Sequence, residues 1–161
     1  MNHKLILGLA ILITIALPGC ISKPHAAETS IPLVKINPPS TYQKTLIATK
    51  SFYPFGHWRR AYALGLKQYT SENCNKAQQI FDNLINCLVY NGSSALKEDK
   101  IALFKTAVFS LNKLNDEVEG LIETGEREDL CALIDRIASA AGLNPKDFGE
   151  GAGIADEWRS W

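Results

Sequence analysis

Histidine is scarce in this chain of 161 residues: His3, His25 and His57 are the whole supply. Only His57 lies where the patterning reads as folded, so one imidazole remains for any acid–base or metal chemistry. Net charge is missing too. Seventeen Lys and Arg balance 17 Asp and Glu, which removes the basic surplus that a general nucleic-acid binder needs. No internal repeat is visible, no convincing strand pattern follows residue 51, and the cysteine spacing fits no zinc site. What is present, 46% hydrophobic and 21% charged residues, is the composition of a folded globular protein of about one domain.

The zero total hides two opposed halves. From Asp116 to Trp161 there are twelve acids against four bases, net −8, and everything before carries net +8. Such asymmetry bears on partners and solubility rather than on fold.

The chain opens Met1-Asn2-His3-Lys4, continues with the uncharged run Leu5–Leu17, and reaches Leu17-Pro18-Gly19-Cys20. A short positive start with about a dozen apolar residues is an export-signal pattern, too short for a permanent span. Ordinary cleavage near Ala26 or Ala27 is spoiled by Pro24 and His25. The Leu17–Cys20 tetrapeptide resembles the lipobox of bacterial lipoprotein precursors, with Pro18 where that family usually has a small or aliphatic residue. The resemblance implies removal of residues 1–19, lipidation of Cys20 and a membrane partner held through acyl chains. Ile21 after the cysteine implies sorting to the periplasmic face of the outer membrane. It covers residues 1–20 and carries nothing about the mature domain.

Residues 20–51, with Pro24, Pro32, Pro38 and Pro39, read as an extended tether. Residues 52–161 read as an all-α domain, a small bundle of about four amphipathic helices. The first spans about His57–Tyr69. The second spans about Asn75–Tyr90, with Ala77, Ile80, Phe81, Leu84, Ile85 and Leu88 on one face and Asn91-Gly92 as its stop. A third, capped by Ser93 or Ser94, aligns Ile101, Phe104, Val108, Leu111 and Leu114. The fourth follows Thr124 as its cap and buries Leu130, Leu133, Ile134, Ile137, Ala138 and Ala141 before Gly142.

Three cysteines remain in the domain. On one helix, Cys74 and Cys87 stand roughly 20 Å apart, beyond the about 7 Å Cα separation a disulfide tolerates. A bridge therefore needs Cys131: Cys87–Cys131, or Cys74–Cys131 instead. Three unpaired thiols acting as small hydrophobes are the plain alternative.

Several stretches invite a chemical reading. Asn115, Glu117, Glu119, Leu121 and Glu126 fall at calcium-loop positions, with Gly120 at the bend. Position one lacks Asp, and a solvated acidic connection is the ordinary reading. Carboxylate pairs such as Glu123 and Glu126 would suit glycan hydrolysis, but so dense an acidic run makes pairs without design. Gly149-Glu150-Gly151-Ala152-Gly153 has acidic neighbours that repel phosphate and reads as a flexible turn. Trp58, Tyr62, Gly65, Leu66 and Tyr69, with Arg59, Arg60 and Lys67 nearby, form either an aromatic-basic surface or a core helix with a basic edge. Trp158 and Trp161 either seal the bundle or present an anchor.

Two function classes follow. One is a lipid-anchored, non-enzymatic envelope protein docking a basic protein through Glu117, Glu119, Glu123, Glu126, Glu128 and Asp129, as immunity or inhibitor proteins do. The other is a small peptidoglycan-acting enzyme using a carboxylate pair. Calcium binding is compatible with either, and no cofactor motif is expected.

Overall fold

The computed structural model describes residues 39–161, which belong to one compact unit. The expected export signal, the expected lipobox and its Cys20 lie outside the described residues. The domain is all-α: five α-helices and four 3-10 turns, with no strand among the described residues. The helices are α1 (Thr41–Ala48), α2 (Phe55–Ala63), α3 (Ser71–Asn91), α4 (Lys97–Glu117) and α5 (Thr124–Ala140).

Helix α1 corrects the tether boundary expected at Ser51. Ser40 accepts a hydrogen bond from the Gln43 N–H at 3.1 Å, capping the helix. Leu46 is fully buried, and α1 packs on α3 and α5. One capped turn and one buried leucine give too faint a period to read in eight residues.

Helix α2 also differs from expectation, ending at Ala63 rather than Tyr69. Gly65 takes φ +105, a left-handed conformation that breaks the helix. Its fully buried members, Phe55 and Trp58, join Tyr53, Tyr69 and Phe81 in an aromatic cluster with ring centroids 5.2–6.2 Å apart. Each large apolar side chain buried in this way contributes about 1.5–3 kcal/mol.

The long helices follow their stripes. Helix α3 starts at a Thr70 cap, whose Oγ1 accepts from the Asn73 N–H at 3.1 Å, and stops where Gly92 takes φ +78. It buries Cys74, Ala77, Phe81, Leu84, Ile85 and Leu88 against α4. Phe104, Val108, Leu111 and Leu114 of α4 are buried, as is the whole expected stripe of α5. The expected caps are not used. Helix α4 begins after Leu96 and α5 after Glu123, neither with a side-chain cap, and Thr124 is already helical.

Helices α3, α4 and α5 run up, down and up, giving the bundle two ends. At one end the start of α3 meets the close of α4, where Glu72 and Lys76 share a groove with Lys113 and Glu117. At the other, Lys100 Nζ donates to Ser93 O (2.9 Å) and Ala141 O (3.0 Å), beneath the Tyr42 ring. The described chain therefore enters its bundle at the Lys100 end.

The Gly149–Gly153 segment, expected as a flexible turn, is held at both ends while Glu150, Gly151 and Ala152 are exposed between them. Phe148 and Ile154 are buried on either side, Glu157 Oε1 accepts from the Gly149 N–H at 2.6 Å, and Asp135 Oδ1 accepts from the Ile154 N–H at 3.2 Å. Trp158 and Trp161 lie half-buried against the core. Asn112 of α4 holds this tail, donating to Trp158 O (2.8 Å) and accepting from the Ser160 N–H (3.2 Å). No helix among the described residues is long and apolar enough to cross a membrane.

Candidate functional site: the acidic elbow

The six acids singled out in the sequence gather around one element, the elbow between α4 and α5. Glu117 closes α4, Glu119 lies in the connection, Glu123 precedes α5, and Glu126, Glu128 and Asp129 lie in its first two turns. The elbow exists because Leu121 and Ile122 are buried and pin its middle to the core, leaving the acids between them outside. Asn115 fixes the bend, its Oδ1 accepting from the Ile122 N–H at 2.9 Å.

Five of the six carboxylates are exposed, and Glu126 is half-buried. Their charges are largely uncompensated. Lys113 Nζ reaches Glu117 at 3.8 Å, and among the described residues the other five have no Lys or Arg within ion-pair distance. The ion pairs that do form lie elsewhere: Lys50–Asp82, Lys76–Glu72, Lys97–Asp147 and Arg159–Asp156. The basic first half of the chain does not neutralise this patch.

Glu126 and Glu123 both approach Tyr69. Burial first, and then the nearby Glu126 carboxylate, pushes the Tyr69 hydroxyl well above the ordinary phenol range. The α2–α3 loop leads into the start of α3, which meets the close of α4, so loop and elbow share one end of the bundle, a placement that the sequence separation of more than fifty residues concealed.

The calcium reading fails on geometry. Asn115 and Glu117 are still inside α4, Glu126 is inside α5, and the backbone between them does not wrap a twelve-residue loop. The Asn115 side chain is committed to Ile122, and Leu121 is buried. Among the described residues no three His, Cys, Asp or Glu side chains converge to hold a metal ion.

The Cys87–Cys131 bridge is likewise absent, since Cys74, Cys87 and Cys131 are free thiols. Cys87 sits off the buried stripe of α3, exposed, beside Leu103 and Thr106 of α4. Cys131 faces the carboxy-terminal turns, near Arg159 and Asp156, where burial pushes its thiol up. Cys74 is buried, its Sγ 3.6 Å from Tyr69 O, its thiol also raised by burial. Each cysteine faces a different neighbour.

The aromatic-basic stretch divides. Trp58 and Tyr69 are core, whereas Tyr62 and Leu66 are exposed. Leu64, which periodicity did not pick out, is 85% exposed at the loop tip. Arg59 Nη2 is held by Asn75 Oδ1 (2.6 Å) and Gln78 Oε1 (3.0 Å), Lys67 Nζ lies 4.6 Å from the Tyr62 ring centre, and Arg60 is exposed.

No protein-family model, no curated protein and no solved structure matches this chain.

Proposed function

We propose that the protein is a lipid-anchored, non-enzymatic component of a bacterial envelope that captures a basic protein through its α4–α5 elbow, in the manner of an immunity or inhibitor protein. The observation carrying this reading is the electrostatic imbalance of the elbow. Among the described residues five carboxylates there form no ion pair, at the end of the bundle away from where the described chain enters. Like charges held this close repel, at a cost to the compact state. Helix-dipole compensation at the start of α5 recovers only about 0.3–1 kcal/mol. A complementary partner offsets the remainder and gains association rate from the same field.

The test pairs salt with substitution. Immobilised protein captures basic envelope proteins at low salt and releases them at high salt, and Glu119→Gln/Glu123→Gln/Glu128→Gln abolishes the capture while leaving the helical spectrum unchanged. Capture indifferent to both salt and substitution would overturn the reading. The anchor is tested separately: Cys20→Ser leaves an unprocessed precursor without acyl label, whereas unchanged labelling and mature mass in that variant remove the lipid from the proposal.

A further inference from the structure

The end of the bundle that carries the acidic elbow also carries its electrostatic complement. From Ser30 to Ser71 the sequence holds no Asp or Glu. The α2–α3 loop closes this acid-free stretch with Arg60 and Lys67 around Tyr62, Leu64 and Leu66, all exposed. Lys67 rests on an aromatic ring, and neither Arg60 nor Lys67 has a carboxylate within ion-pair distance among the described residues. Two patches of opposite sign thus share the end of the bundle where the start of α3 meets the close of α4, without neutralising each other.

A surface with adjacent opposite patches is complementary to itself under a two-fold axis passing between them. The geometry points to a second copy of this chain as an occupant of the elbow: the Arg60–Lys67 loop of each copy docks on the Glu119–Asp129 elbow of the other. The two contacts are equivalent, so each pairing is made twice. Leu64 and Leu66, open to water in the single chain, are the apolar centre, and the charges form the rim. Arg127 is the one base inside the elbow, so the sign of the patch stays negative. An anionic membrane is the rival occupant of the loop, but the elbow's carboxylates beside it would be pressed against like charge. The described chain also enters at the opposite end of the bundle. The inference rests on the elbow being a docking face and names one occupant for it.

Charge swapping tests it on the full chain in mild detergent, with every substituted side chain exposed and each variant checked for an unchanged helical spectrum. Wild type sediments as a dimer at low salt, with an affinity that falls about tenfold or more at high salt. Arg60→Glu/Lys67→Glu is monomeric alone, because two negative patches then face each other. Glu119→Lys/Glu123→Lys/Glu128→Lys turns the Glu119–Asp129 elbow positive and is monomeric alone for the opposite reason. Mixing the two restores a one-to-one dimer, since both contacts regain opposite signs. Failure of the mixture to associate, or a wild type that stays monomeric at low salt, overturns the second copy as occupant. A monomeric wild type that still captures basic proteins through the elbow would leave the proposed function standing while this inference falls. A dimer that captures nothing would do the reverse. Binding to phosphatidylglycerol vesicles by a monomeric wild type, lost in Leu64→Glu, would assign the loop to the membrane.

Discussion

At the scale of single residues, two polar side chains do structural work that no periodicity announces. Lys100 is 7% exposed, yet its ammonium is satisfied by two backbone carbonyls and the face of Tyr42. It ties the end of α5 to the start of α4. Lys100→Ala leaves the Ala141 carbonyl unpartnered and removes the packed stem, and should cost about 2–4 kcal/mol in urea unfolding. Asp82 shows a different balance. Burial works against its charge, but hydrogen bonds from Lys50 Nζ (2.6 Å) and Tyr53 Oη (3.1 Å) hold its carboxyl below the ordinary range. A depressed carboxylate contributes stability that is present above its unfolded pKa and lost as pH falls through its folded pKa. Lys50→Ala should therefore destabilise the protein at neutral pH, by about 0.5–1 kcal/mol for so accessible a pair. The difference from wild type should shrink as pH drops below the usual Asp range. Thermal melts of both proteins from pH 7 to pH 3 measure it, and a gap that is constant with pH would assign the effect to the lysine stem.

Among elements, the helices differ in how well their ends are finished. Ser40 and Thr70 cap α1 and α3 with 3.1 Å hydrogen bonds, whereas α4 starts at Leu96, 67% exposed and without a side-chain acceptor. Glu98 and Asp99 in its first turn favour the dipole but do not occupy the cap. Leu96→Asp supplies the missing acceptor at an extended backbone position and should raise the unfolding free energy by about 0.5–1 kcal/mol. Calorimetry would show this as a higher Tm, and a lower Tm would mean that Leu96 is covered by a contact of its own. The expected caps, Ser93 and Ser94, were misplaced because α4 starts several residues later, after a turn in which the Ala95 N–H donates to Gly92 O.

For the whole molecule, the question is where the opposed charges go. Had the basic half been folded onto the acidic third, ion pairs would cross between them at the elbow. Instead the long-range pairs are Lys50–Asp82, and Lys97–Asp147 at 3.7 Å, both away from it. Neutralising Glu117, Glu119 and Glu123 to Gln should leave thermal stability at low salt unchanged or raised, because mutual repulsion outweighs the single 3.8 Å pair with Lys113. Association with the proposed basic partner should slow in the same variant. Differential scanning fluorimetry across a salt series, beside binding kinetics, separates the outcomes. A clear loss of stability with unaltered association would mean that the charges serve the fold.

The sequence by itself determined the fold class and the three long helices. Apolar residues repeating at 3.6 over four or more turns leave one buried face, and every residue expected in the α5 stripe is buried. It also marked the acidic stretch, since charge is countable without coordinates. Local departures were decided by tertiary contacts too weak to leave a period: α1 is held by one cap and Leu46, and the Gly149–Gly153 turns by Asp135, Glu157 and buried neighbours. The calcium reading failed because spacing does not state where a helix ends, and α4 ran on through Glu117. The fate of each cysteine rested on which helix faces which. Above all, only the packing of α5 beside the α2–α3 loop brought Glu126 to Tyr69. Charge opposition was legible along the chain, but adjacency in space is a property of helix packing.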